Sequence, residues 1–409
     1  MAAKKKLLIV SGAGASMEFG MPSVAQVDQL FETWAQKLMP LATSPNTNLY
    51  VFVRDAINKR LEGKRQTNFE EVLYSLSVLS TLLKDSVDHS NALGALLGIN
   101  PLPEITIFGT SRTPSGGDLS LLQSTLIDKL LAEVRDRCSR LASDKATQLQ
   151  TLTDFMADLS KEFEIAILTV NYDDVLLQGS SGLTTGFDST GTFVPSMVRS
   201  RSWDFCYHLH GSVHFNMVGG LVSALHEIKW EDDLAAKFQQ NTSGRNAVRT
   251  MEGLSVLTSA IIAGYDKTNQ ILRAPFRTYY CELEKIVAEA DCYLLCGYGF
   301  ADLHLNAQLE TMRGSSGSTK KVVILTYADD REDPLQFRQD SWSHDLAGTL
   351  IVDTGNTGTK SGKSTPMIAD LKANQEFEIS HNPKFPLAVW YDGFLSACRN
   401  ATGVIQELK

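Results

Sequence analysis

Leu7-Leu8-Ile9-Val10-Ser11-Gly12-Ala13-Gly14-Ala15-Ser16, followed shortly by Gly20-Met21-Pro22-Ser23, is the stretch whose reading decides the fold. A short apolar run that ends in a glycine-rich turn reads as a buried strand delivering a loop to a nucleotide pyrophosphate. Small residues let backbone N–H groups approach the phosphates, and a helix N-terminus beyond the loop adds favourable partial charge. The dehydrogenase fingerprint is incomplete, because Met17 stands where GxGxxG needs a small residue. Gly20-Met21-Pro22 follows in place of a continuous helix, which points away from hydride transfer.

The rest of the composition narrows the class. The chain has 409 residues, 43% hydrophobic and 21% charged, enough for a large core. A formal net charge of −9 disfavours phosphate tracking, so no direct nucleic-acid partner is expected. Lys4-Lys5-Lys6 reads as a solvated strand entrance, because the apolar run after it is too short for a signal peptide and lacks a cleavage site. No run approaches a membrane span, so no membrane association is expected. Cys138, Cys206, Cys281, Cys292, Cys296 and Cys398 form no CxxC pair. Reduced thiols and a cytoplasmic location are the expectation.

Further along, Val24 to Leu38 reads as a helix with Ser23 as N-cap. Residues from about 40 to 150 carry helical patterning, notably Phe69 to Leu76 and Leu121 to Leu141, with a Pro- and Gly-rich loop at Pro101 to Gly117 between them. An α/β rhythm then returns. Glu164 to Val170, Cys206 to Leu209, Leu257 to Ala263, Asp291 to Cys296 and Lys321 to Leu325 read as strands. Polar residues or glycines recur at their C-terminal ends, the edge where parallel sheets bind ligands. Gly355 to Thr365 reads as a flexible loop. Its Gly358-Thr359-Lys360-Ser361-Gly362-Lys363-Ser364 misses the P-loop spacing by one residue.

Singly, each motif has a bland explanation. Asn171-Tyr172-Asp173-Asp174 could start a helix, and His210-Gly211 could be a turn. In their order, though, Gly12-Ala13-Gly14-Ala15-Ser16 with Gly20-Met21-Pro22, Thr169-Val170-Asn171-Tyr172-Asp173, His208-Leu209-His210-Gly211 and Gly297-Tyr298-Gly299 resemble the sirtuin pattern. The resemblance covers residues 5–39 and about 160–330. It implies an α/β fold with a Rossmann-like parallel sheet and a helical insertion, spanning residues 1–335 with the insertion at about 40–150. Residues 336–409 are left as an extension of uncertain structure.

The resemblance also implies chemistry on NAD+, which is a substrate here: cleavage of the nicotinamide–ribose bond through an oxocarbenium-like transition state. It gives Gly12, Ala13, Gly14, Ser16 and Pro22 to the nucleotide loop, and Gly297, Tyr298 and Thr326 to the adenosine half. Asn171 would orient the ribose hydroxyls or a water, since an amide can donate and accept. Asp173 would place the nicotinamide carboxamide, and His210 would be the catalytic histidine, able to take a proton near neutral pH. Asp302 reads as either the N-cap of a following helix or a ribose contact, and the cap is the simpler reading.

The chain departs from the family in two ways. Deacylating sirtuins carry two CxxC pairs holding zinc, but Gly211 to Ala290 contains only Cys281, so no zinc module and no metal are expected. His208, His210 and His214 lack a completing ligand in sequence, and His208 reads as structural. The family's Phe-Arg after the proline is replaced by Val24-Ala25, and a site with less guard against water suits hydrolysis. The motifs look like the zinc-less bacterial NADases of anti-phage defence. That implies NAD+ glycohydrolase activity serving abortive infection, a homo-oligomer, and a HerA-like hexameric ATPase as partner. The alternatives are a protein deacylase or ADP-ribosyltransferase, and a non-catalytic NAD or ADP-ribose sensor.

Overall fold

A computed structural model describes residues 3–83, 102–218, 227–236, 238, 248–249, 255–256, 259–264, 270–314, 320–331, 350, 357–362 and 366–409. Its centre is an eight-stranded, mostly parallel sheet in the order β12-β13-β14-β11-β10-β1-β4-β5. The six parallel strands are β1 (Lys5–Ser11), β4 (Phe163–Thr169), β5 (Phe205–His208), β10 (Cys292–Cys296), β11 (Lys321–Leu325) and β14 (Leu387–Trp390). Two short strands, β12 (Thr357–Thr359) and β13 (Glu378–Ser380), extend one edge in antiparallel pairing. Three two-stranded ladders stand apart: β2 (Ile105–Ile107) with β3 (Thr110–Arg112), β6 (Phe215–Val218) with β7 (Glu227–Trp230), and β8 (Val248–Arg249) with β9 (Ser255–Val256).

The chain lays β1, β4 and β5 to one side, then crosses back to place β10, β11 and β14 on the other. In this doubly wound, Rossmann-like order the reversal falls between β1 and β10. A crevice opens beyond the carboxyl ends of strands at such a reversal, where ligands bind. The central strands are buried on both faces, as the unbroken run Leu7-Leu8-Ile9-Val10 requires. Leu7 and Ile9 face one core layer with Ile165, Ile167 and Leu294. Leu8 and Val10 face the other with Ala166, Leu168 and Leu295.

The first layer is built largely by the insertion. A short turn of helix, α1 (Ala13–Ser16), is followed by a 3-10 turn, Met17–Phe19, that Gly20 ends with a φ of 90°, and then by α2 (Val24–Leu38). Ser23 caps α2 in a full capping box with Gln26, as the sequence indicated. Helices α3 (Leu49–Arg60), α4 (Phe69–Leu82), α5 (Gly116–Ser139) and α6 (Ala146–Glu162) follow. On the opposite face lie α7 (Phe276–Glu289) and α8 (Leu303–Gly314). Helices α9 (Phe394–Arg399) and α10 (Ala401–Leu408) close the chain, and residues of both pack in the first layer beside α6.

Several local expectations need correction. The segment 101–117 is more than a loop: Ile105 and Ile107 are buried in the β2–β3 hairpin, turned by Phe108-Gly109 with φ of 49° and 78°. Positive φ at both positions is what a tight hairpin turn needs, and Phe108 hides that signal because aromatic residues seldom adopt it. Of the expected strand Leu257 to Ala263, residues 257–258 lie outside the described residues. The rest forms isolated bridges in place of a strand, among them the antiparallel pair Gly211 to Ile261. Within the expected loop Gly355 to Thr365, residues 357–359 are the buried strand β12, while 355–356 and 363–365 lie outside the described residues. Among the described residues no helix is long and apolar enough to cross a membrane.

Candidate functional site

Four loops leave the carboxyl ends of neighbouring strands and meet around one cavity of about 630 Å³. Gly12 follows β1, Asn171 follows β4, His210 follows β5 and Gly297 follows β10. The cavity is lined by Gly12, Ala13, Gly14 and Pro22, by Asn171, Asp173 and His210, and by Gly297, Tyr298 and Asp302. Asn68, Phe69 and Glu70 of the α4 entrance and Leu130 and Val134 of α5 also form part of the wall. The insertion thus contributes directly to the cavity, a role that no local sequence signal shows.

The two glycine loops touch through their backbones. The Gly12 amide donates to Cys296 O and the Gly14 amide to Gly297 O, both at 3.0 Å. A Cβ on Gly12 would lie 2.7 Å from Gly297 O, and one on Gly14 would lie 2.9 Å from Gly297 Cα. Small residues are required here first by this loop-to-loop contact. The amides of Gly12 and Gly14 are engaged in this contact.

Ser16 lies behind the glycine loop. It is 1% exposed and absent from the cavity wall. Its hydroxyl donates to Asp173 Oδ1 at 2.9 Å and accepts from Asn171 Nδ2 at 3.0 Å. Asn171 Nδ2 also donates to Gly12 O at 2.9 Å. A carbonyl oxygen can only accept, so the amide orientation is decided: the NH2 end faces the glycine loop. The Asn171 Oδ1 makes no hydrogen bond among the described residues and remains as an acceptor. Thr326 lies at the end of β11, outside the cavity wall, its amide donating to Trp390 O and its carbonyl accepting from Gly393 N.

Asp173 is buried, and burial pushes its carboxyl up to about 6, with the Ser16 hydroxyl and the Val175 amide pulling the other way. The sign of the consequence follows from linkage. Between about pH 4 and 6 the folded chain holds a proton that the unfolded chain has released, so this group favours folding at low pH and the benefit is lost as pH rises through 6. Asp173→Asn keeps an oxygen for both hydrogen bonds and removes the buried charge. The shift of about 2 units corresponds to an upper bound of about 3 kcal/mol near pH 7. The variant is expected to melt a few degrees higher at pH 7.5 and to gain less at pH 5. Scanning calorimetry at the two pH values checks this, and a lower melting temperature at pH 7.5 would contradict it.

The three histidines separate into different environments. His208 is buried, and burial holds its imidazole down to about 3, so it stays neutral. It packs against Phe215 and Trp230 as a core residue. His214 stacks on Trp230 at 4.3 Å, with Nδ1 at 2.8 Å from Glu231 O and Nε2 at 3.0 Å from Asp174 Oδ2. His210 alone lines the cavity, its Nε2 at 2.5 Å from Asp302 Oδ2. Among the described residues no group of three or more His, Cys, Asp or Glu could hold a metal ion.

No curated protein matches this chain. Among solved structures it is similar to a Sir2 homologue in complex with NAD, at 13% identity and a TM-score of 0.35, covering 81% of this chain and 80% of that one. It is similar to Sir2Tm bound to a propionylated peptide at 11% identity and a TM-score of 0.30, covering 80% and 83%. A Sir2 homologue in complex with ADP-ribose gives 12% identity and a TM-score of 0.33, covering 85% and 95%. Residues 165–345, which hold most of β4 and all of β5, β10 and β11 together with Asn171, His210 and Asp302, match the family model of the SIR2-like domain.

Proposed function

We propose that this chain is an NAD+ glycohydrolase that releases nicotinamide and ADP-ribose. The observation that carries the reading is the convergence of Asn171, Asp173 and His210 on one cavity at the sheet's reversal. In the proposed reaction the bond between C1′ of the ribose and the nicotinamide nitrogen breaks, and its electron pair leaves with a neutral ring. A water adds to C1′ and passes a proton to His210. The Asn171 Oδ1 accepts from a ribose hydroxyl or from that water, since Nδ2 is held by Gly12 O and Ser16 Oγ. Asp173 accepts from the nicotinamide carboxamide. Gly12, Ala13, Gly14, Pro22, Gly297 and Tyr298 form the wall against which the dinucleotide lies.

Val24 and Ala25 line the same cavity and support water as the acceptor, because neither is large enough to shield the reacting carbon. The resemblance to zinc-less defence NADases extends the reading to NAD+ depletion during phage infection, by a homo-oligomer partnered with a HerA-like ATPase. The test is direct. Purified protein, alone and with such a partner, is incubated with NAD+ and no acylated substrate. Nicotinamide and ADP-ribose are expected in equal amounts. Nicotinamide release that requires an acylated peptide would replace this reading with a deacylase.

A further inference from the structure

The two oxygens of Asp302 do different things. Oδ1 accepts the backbone N–H groups of His304 and Leu305, both at 3.0 Å, which makes it the cap of α8 that the sequence indicated. Oδ2 lies 2.5 Å from His210 Nε2, and both side chains are about 95% buried. The turn that carries the carboxylate is itself held. The Asp302 carbonyl accepts from the Asn306 amide at 2.9 Å, Tyr298 Oη donates to Asn306 Oδ1 at 2.6 Å, and Asn306 Nδ2 donates to Phe300 O at 2.6 Å.

An ionised carboxylate only accepts, so His210 presents Nε2–H to it. In a neutral imidazole this leaves the lone pair on Nδ1. Nδ1 of His210 makes no hydrogen bond among the described residues, and the side chain lines the cavity.

We propose that Asp302 is a positioning residue that holds His210 in the Nε2–H tautomer, so that Nδ1 is the base that takes the proton of the attacking water. This deepens the hydrolase reading and rests on it. As the water oxygen bonds to C1′ and the nicotinamide nitrogen leaves with its electron pair, the water proton passes to Nδ1. The imidazolium so formed stays paired with the Asp302 carboxylate. One loop, from Gly297 to Asp302, then seats the glycine turn at one end and orients the base at the other.

Asp302→Asn tests this. Asparagine is as good an N-cap as aspartate, so α8 is kept. Its NH2 group facing His210 can only donate, which drives the imidazole proton to Nδ1 and removes the base. The variant is expected to fold, to bind ADP-ribose within about 3-fold of wild type, and to lose about 10²-fold or more in kcat. In serine-protease triads the equivalent change costs about 10⁴-fold. In a His210→Ala background Asp302→Asn is expected to change the residual rate by less than about 2-fold, because a residue acting through histidine has nothing left to act on. An equal loss in both backgrounds would mark Asp302 as structural and overturn the proposal.

Side-chain ¹⁵N NMR reads the tautomer without any turnover. His210 is expected as Nε2–H in the wild type and as Nδ1–H in Asp302→Asn, and an unchanged tautomer would overturn the positioning role. A tautomer switch in a protein that does not hydrolyse NAD+ would remove the hydrolase reading, and the water-activating step with it, while the hold of Asp302 on His210 would stand.

Discussion

Replacing His210 or Asn171 by alanine is expected to reduce nicotinamide release by about 10³-fold in each case, with the fold retained. For His210 the loss is that of the base, for which general acid–base effects of about 10²–10⁴-fold are ordinary. For Asn171 it is the loss of the acceptor that the proposed reaction assigns to the ribose or the water, in a site where a preoriented dipole contributes a similar factor. The stability costs differ. His210→Ala removes the buried imidazole contact to Asp302 Oδ2, a loss of about 1–3 kcal/mol. Asn171→Ala leaves Gly12 O and Ser16 Oγ each one donor short, a penalty of similar size.

Two measurements separate chemistry from folding. Thermal melting reports the stability cost, and ADP-ribose binding shows whether the wall of the cavity is intact. Both variants are expected to bind ADP-ribose, because the proposed reaction places their side chains at the nicotinamide ribose and not at the adenosine half. Turnover within tenfold of wild type in both, with normal melting, would remove Asn171 and His210 from the reaction.

Much of the scaffold is legible in the sequence because its signals are local. Leu7 to Val10 must be buried on both faces, and Ser23 with Gln26 marks the start of α2 without reference to any distant residue. Lys321 to Leu325 falls where the apolar run says it should. Leu387-Ala388-Val389-Trp390 is also an unbroken apolar run, but four such residues do not distinguish a strand from a buried helical turn. Only the sheet shows that they form β14 beside β11.

The site divides in the same way. The residue types at Asn171, Asp173 and His210 are visible, yet the partners that orient them are not. Ser16 and Asn171 are 155 positions apart, and His210 and Asp302 are 92 apart. The helical spacing of Phe69, Val72, Leu73 and Leu76 shows that one face of α4 is covered, but not that Phe69 and its neighbours wall the cavity. A capping aspartate announces one of its oxygens in sequence. The second oxygen of Asp302 appears only once β5 and the β10 loop are brought together.

Gly297→Ala is expected to be severely damaging. A Cβ there would lie 2.1 Å from the Ala15 amide nitrogen and 2.3 Å from the Gly14 carbonyl carbon, closer than any real contact. The obstacle is backbone on both sides, so no side-chain rotation relieves it. The φ of 54° adds about 1 kcal/mol for any residue with a Cβ. Relief requires the β1 and β10 loops to part, which breaks the bonds from Gly12 N to Cys296 O and from Gly14 N to Gly297 O. We expect a loss of about 4 kcal/mol or more, a size reserved for such backbone conflicts and core cavities. NAD+ binding is expected to fall more than tenfold, since the parted loops are the wall itself.

Gly12→Ala meets Gly297 O at 2.7 Å and should be less severe. Gly299→Ala meets nothing within 4 Å and should melt as the wild type does, although Gly299 lines the same cavity. Melting curves of the three variants test the order. If Gly297→Ala melted within a degree of Gly299→Ala, the glycines of the first loop would not owe their identity to the Gly297 turn. Their small size would then be explained by the ligand alone.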